Sequence, residues 1–263
     1  VKSEHGRFSP GAIDYDGPMS ANFRTGRALV PETAQTWLSA AAPFVESARP
    51  RAILDLGAGT GRFSGLLAES FQARVIAVEP SRGMLSRAVE EHNSPRVSYV
   101  AGRAEHLPLR DESCDAAWLS QVYHHIRDHR ASARELHRVL RPDGCVLIRG
   151  TFSDRLDGFP LLFRFFPGTR QVCEYLPTTR QTKLIFEAEG FTLKADRRIE
   201  QKTCASLREF AERTRLRADT ALALISDREF AEGMAALEAA AAGEREPNPV
   251  LETLDLLVFK AVV

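Results

Sequence analysis

Two hydrophobic rhythms alternate along the chain. Between about residues 51 and 150, short continuous apolar runs are separated by segments of helical character. The runs fall at 51–56 (RAILDL), 74–78 (RVIAV), 97–100 (VSYV), 115–119 (DAAWL) and 145–149 (CVLIR), with helices expected at 61–70, 81–92 and 129–141. The last helix is expected to stop at the turn Pro142-Asp143-Gly144. Runs apolar on both faces and joined by helices predict a parallel sheet covered on two sides, an α/β, doubly wound fold. Ahead of this block, Pro31 suits a first helical position. Ala34, Trp37, Leu38 and Ala41 then share one face of a helix expected to end near Pro43. Behind the block, a helix at 178–189 should be stopped by Gly190, with a strand at 191–200. Two or three helices over 206–241, a solvent loop at 243–250 and a closing strand TLDLLVFKAVV complete the pattern. The chain thus divides into an arm and cap helix (1–45), an α/β core (46–151), and a lid insertion with helices and closing strands of the same domain (152–263).

Composition narrows the functional classes. The 263 residues carry 35 basic and 35 acidic side chains, which argues against a nucleic-acid partner bound through a basic surplus. No apolar run reaches the roughly 20 residues of a membrane span, and the opening VKSEHGRFSPG lacks the apolar core of a secretory signal. Cys114, Cys145, Cys173 and Cys204 form no CxxC pair and no zinc spacing, so they read as reduced, mostly buried residues of a cytoplasmic protein without a metal site.

The segment ILDLGAGTGRFSGLLAE is the most informative. An apolar strand enters Asp55, then Gly57, Gly59 and Gly61 alternate and a helix begins. Such a turn lets the backbone approach a ligand, and the helix start offers unpaired amides. A dinucleotide fingerprint needs its third glycine where this chain has Arg62, which disfavours a nicotinamide oxidoreductase. The next run ends in Glu79, where a carboxylate can accept from a ribose diol.

GxGxG with an acid two positions ahead, followed by VEPSRGML, VAGRAEHLPLRDESCDAAWLSQVYHHIRD and RELHRVLRPDG, resembles the motif series of class I S-adenosylmethionine-dependent methyltransferases. Among these it is similar to the ubiquinone/menaquinone-type and natural-product small-molecule enzymes. The resemblance covers about 51–150 and implies a Rossmann-like, seven-stranded, mostly parallel sheet with an N-terminal helical cap and an aromatic lid. It implies S-adenosylmethionine as cofactor, held by Asp55, Gly57, Ala58, Gly59 and Glu79, with Pro80 and Met84 against the adenine. Arg103, Ala104 and Glu105 stand where the family carries Asp-Ala-Glu beside the adenine amino group. An arginine cannot accept that hydrogen bond, so either Ala104 and Glu105 do so or Arg103 turns outward. Ser120 and Gln121, at the end of the fourth strand, are expected to line the same pocket.

Methyl transfer needs a dry chamber, an aligned acceptor and, for some acceptors, a base. His124 and His125 are the candidate bases, His124 slightly favoured. The segment 152–176 is a candidate lid, with Phe152, Phe163, Phe166 and Tyr175 as substrate contacts; alternatively, Leu161, Leu162, Phe165 and Phe166 form the buried face of a helix pair. In the arm, Tyr15, Met19 and Phe23 are placed to close over the sulfonium, with Arg24 or Arg27 pairing the methionine carboxylate. The expected reaction is O-methylation of a ring-containing metabolite in natural-product biosynthesis by a monomer or homodimer. Transfer to carbon or nitrogen, and a catalytically silent cofactor binder, remain alternatives.

Overall fold

The structure is a computed structural model that describes residues 13–17, 22–23, 25–48, 50–92 and 94–262. Met19 and Arg24 lie outside the described residues. Seven strands form one sheet: β1 (Ala52–Leu56), β2 (Arg74–Glu79), β3 (Val97–Ala101), β4 (Cys114–Ser120), β5 (Leu140–Gly150), β6 (Phe191–Cys204) and β7 (Val250–Ala261). Their order is β3-β2-β1-β4-β5-β7-β6. The first five pair in parallel, and β7 runs antiparallel to both β5 and β6. The chain winds outward from β1 to β3 and then crosses back to β4. The reversal between β1 and β4 creates the crevice where open α/β sheets take ligands.

Side-chain alternation along the strands builds two cores. Ile53, Leu147, Leu256 and Val258 join Trp37 and Phe63 on one face. Their neighbours Leu54, Ile148, Leu257 and Phe259 face Leu136 and Phe186 on the other. The first core is covered by α1 (Pro31–Val45), α2 (Ser64–Ser70), α8 (Leu207–Arg215) and α10 (Asp227–Ala242), the second by α4 (His129–Val139) and α7 (Thr179–Ala188). The remaining helices are α3 (Arg82–Glu91), α5 (Pro160–Phe165), α6 (Gly168–Cys173) and α9 (Thr220–Leu224). Among the described residues no helix is long and apolar enough to cross a membrane.

Two element boundaries differ from expectation. Helix α1 continues through Pro43 to Val45, because burial of Ala41 and Val45 outweighs one missing hydrogen bond in its last turn. Helix α4 ends at Val139, and Pro142-Asp143-Gly144 lies inside β5. Leu140 pairs with Cys114, but Cys145 already pairs with Ala116, so the extra residues bulge out with Asp143 left-handed at φ 68°.

At the carboxyl end of β5, the buried guanidinium of Arg149 ties three strands together. It donates to Ser120 Oγ of β4 (3.0 Å) and Gln201 Oε1 of β6 (2.7 Å) and lies over the Trp37 ring. Burial pushes its pKa well down, and its own pairing geometry holds the strand ends that border the crevice.

Candidate active site

The loop after β1 shows why glycine recurs there. Gly57 N and Ala58 N donate to Val78 O at 2.8 and 3.2 Å, folding the loop onto the end of β2. Gly57, Gly59 and Gly61 have φ of 69°, 58° and 78°, a region side chains disfavour. A Cβ on Gly57 would lie 2.1 Å from Val122 Cγ2, and one on Gly61 would lie 2.7 Å from the Tyr99 hydroxyl. Gly59 differs. Its nearest neighbour would be Phe23 Cε1 at 4.0 Å, so its bare face opens into a cavity of about 220 Å³.

Two buried carboxylates face that cavity from strand ends. Glu79 closes β2: its Oε2 accepts from Gly59 N and its Oε1 from Ser81 N, both at 2.9 Å. Asp55, 2% exposed, accepts from Ser64 Oγ at 2.7 Å. Burial pushes Asp55 up to about 7, with the Glu79 charge adding to the effect, and burial raises Glu79 as well. Pro80 and Met84 continue this wall, and Ser120 and Gln121 line it from β4. Gln121 is left-handed at φ 56°, and its N–H donates to Arg149 O at 2.7 Å. Such a wall favours a ligand that brings positive charge or hydrogen-bond donors.

A 3₁₀ turn at Tyr123–His125 carries both histidines into the cavity, their rings 4.1 Å apart. Burial, reinforced by the charges of His125 and Arg27, lowers His124 well below 6.5; burial lowers His125 to about 4. Both are neutral imidazoles at pH 7. The arm crosses over them. Tyr15 OH lies 3.0 Å from His125 Nε2 and 3.2 Å from Thr220 Oγ1, while burial raises its pKa to about 12. Its carbonyl and the Asp16 carboxylate accept from Ser81 Oγ, and Asp16 also accepts from Gly83 N. Phe23 packs edge-on against Tyr15 and carries the Arg62 guanidinium over its ring.

Several cavity residues escaped the sequence reading. Arg62, seen there only as a missing glycine, lies half-buried beside the loop and donates to Arg27 O. Burial pushes it down to about 9, with Arg27 adding to the effect. Arg27 pairs with Asp219 at 3.0 Å, and Asp219 caps α9 through Ala221 N. The apolar wall opposite the sheet comes from Phe159, Leu162, Val172, Leu176, Phe210 and Leu222. Thr203 and Glu252 close the far end. No signal short of the strand pairing of β6 and β7 brings these last two together.

Other expectations need correction. Arg103, Ala104 and Glu105 are not part of the cavity wall. The Arg103 side chain is 60% exposed, Ala104 packs on the second core, and Glu105 Oε1 accepts from Arg127 N at 2.9 Å, bracing the turn before α4. The four proposed substrate contacts also lie outside it. Thr151 lines the cavity, so Phe152, the next residue, faces the opposite side, into the core beside Tyr123. Phe166 stacks on Phe230 and fills the notch that Gly233 leaves in α10. Phe163 packs against Phe159 and Arg170, and Tyr175 is 49% exposed. The segment does supply the lid wall, through Phe159 and Leu162.

Comparison with known proteins agrees with this architecture. Residues 54–148 match the methyltransferase domain family. Malonyl-[acyl-carrier protein] O-methyltransferase of Methylococcus capsulatus is 30% identical over 188 residues, 70% of this chain and 64% of that protein. Demethylmenaquinone methyltransferase of Clavibacter sepedonicus is 36% identical over 142 residues, 53% and 58% of the two chains. Less than two thirds of either relative is therefore matched. A candidate methyltransferase of an antibiotic biosynthesis pathway from Anabaena variabilis shares the fold, with TM-score 0.68 at 20% identity over 90% of this chain and 100% of that one. The family match spans the first five strands of a sheet with the topology that the motif series implies, so residues 54–148 carry a methyltransferase domain.

Proposed function

We propose that this protein methylates a small, largely apolar acceptor at oxygen, with S-adenosylmethionine as donor. When bound, the donor supplies a methyl group on a sulfonium, and its departure leaves a neutral thioether. The observation that carries the reading is the pair of buried carboxylates, Asp55 and Glu79, beside the bare face of Gly59. Burial raises both carboxyls, so each stands to gain from a partner that brings an ammonium or hydroxyl donors, which suits the amino group and ribose hydroxyls of such a donor. Pro80 and Met84 offer an apolar surface for a base, and Tyr15 and Phe23 cover the chamber against water.

The histidines set limits on proton handling. A neutral imidazole accepts a hydrogen bond, but with a pKa of about 4 His125 holds a proton poorly. Removing a proton from an ordinary phenol, pKa about 10, would be about 8 kcal/mol uphill before transfer. His125 and His124 therefore act by orienting an acceptor hydroxyl and sharing its proton as the oxygen is alkylated. Asp219, whose charge opposes the downward shift of His125, supports that moment.

Calorimetry with S-adenosylmethionine, S-adenosylhomocysteine and NADH tests the donor; preference for NADH refutes the reading. Mass spectrometry of a metabolite extract incubated with donor should show a 14-dalton gain, roughly one methyl for hydrogen, on a hydroxylated species. Tight donor binding with no product across hydroxylated, amine and carbon acceptors would favour a silent cofactor binder.

A further inference from the structure

The donor carboxylates account for one end of the cavity only. At the other end stands Glu252, near the start of strand β7 opposite Gln201 of β6. In the sheet order, β7 is three strands from β1, about 14 Å at the usual spacing between strands. Glu252 is therefore remote from the glycine loop. The cations around it are committed elsewhere: Arg27 to Asp219, Arg213 to Glu209, and Arg149 to Ser120 and Gln201. Among the described residues none of them comes within ion-pair distance of Glu252. The Thr203 hydroxyl lies beside it, and Phe159, Leu162, Phe210 and Leu222 give the same cavity an apolar wall. Burial raises the carboxyl, as it must for a charge facing a cavity with no counterion of its own.

We propose that Glu252, with Thr203 beside it, is the acceptor-recognition group, selecting an apolar molecule that presents a hydrogen-bond donor, most strongly an ammonium, at the end remote from the donor site. A buried carboxylate gains most from a partner that is charged or donates, and it repels an anion. The site therefore excludes acceptors whose far end is a carboxylate. The inference names the acceptor class and so rests on the methyl-transfer reading.

Three probes of equal bulk separate the possibilities: naphthylmethylammonium, naphthol and naphthoate, titrated calorimetrically into the protein loaded with S-adenosylhomocysteine. The ammonium should bind at least roughly tenfold more tightly than naphthoate, with naphthol between them. Glu252→Gln should compress that ratio to about threefold or less while leaving S-adenosylhomocysteine affinity unchanged. Thr203→Val, a milder change, should weaken naphthol most. The wild-type ranking stands as a measurement even if a variant folds poorly. Naphthoate binding as tightly as the ammonium, an unchanged ratio in Glu252→Gln, or no probe bound to the loaded protein would each overturn the proposal. If S-adenosylhomocysteine itself fails to bind, the methyl-transfer reading falls, and the same ranking on the unloaded protein still decides the role of Glu252.

Discussion

Under the proposed function, Asp55 should make donor binding a proton-linked event. Its carboxyl is held near pH 7 by burial, against 3.8 for the unburied group. An ammonium brought beside it stabilises the ionised form, so the empty site must lose a proton to bind. With the free-state value near 7 and a bound-state value well below 5.5, apparent affinity should fall about 25-fold from pH 7.5 to 5.5. At pH 6.5 roughly three quarters of a proton should leave per donor bound. Calorimetry in two buffers of different ionisation heat reads that proton directly. The donor's amino group, pKa about 7.7–8.0, is almost fully protonated at pH 6.5 and contributes little. Asp55→Asn should abolish most of the release and weaken binding at pH 7.5 by about 10- to 150-fold, the loss of one charge-assisted hydrogen bond. Any slope that survives belongs to Glu79, whose carboxyl is raised for the same reason. Affinity constant within threefold across this range, or identical heats in both buffers, would refute the reasoning.

The glycines should separate by role. Gly57→Ala drives a Cβ into Val122 and should cost about 2–4 kcal/mol, roughly 4–16 °C in melting temperature, whereas Gly59→Ala should cost only the strained φ, about 1–2 kcal/mol. Gly59→Val should abolish donor binding while the fold persists; normal binding would place the site elsewhere. For stability against pH, His125 and Asp55 oppose each other. His125, lowered in the folded state to about 4, favours folding above about 6.5 and loses that contribution as pH falls toward 4, whereas Asp55, raised to about 7, penalises folding above 4 and is relieved on acidification. Melting temperature should therefore drop more steeply from pH 7 to 5 in Asp55→Asn than in the parent; a shallower drop contradicts the assignment. Tyr15→Phe removes the hydroxyl contacts to His125 and Thr220, about 1–2 kcal/mol, and should speed amide exchange of residues 13–17 about 5- to 30-fold with β1 unchanged.

What the sequence disclosed depended on how local the determinant was. The strands of the parallel half, the turn at Gly57–Gly61, Glu79, Met84 and the two histidines are all read from a strand and the residues that directly follow it. Period and turn chemistry place them, and of that turn Gly57, Ala58 and Gly59 line the cavity, as do Glu79, Met84 and both histidines. The lid was legible as a segment but not as side chains. Which ring faces inward is decided by the notch at Gly233 that captures Phe166 and by the alternation that sends Phe152 away from Thr151. Arg103-Ala104-Glu105 sits in the expected loop, yet its side chains serve the outer brace to Arg127. Asp219 and Glu252 stayed hidden for another reason. Asp219 reaches the cavity from the cap of α9, where it meets Arg27 far back in the chain, and Glu252 through the pairing of β7 with Gln201 of β6.

The segment carrying Tyr15 and Asp16 is bonded at one side to Ser81 and Gly83, next to Glu79, and at the other to Thr220. One latch thus serves two doors. The two sets of bonds are not independent, because a change that loosens the segment at Thr220 also loosens its hold on Ser81 and Gly83.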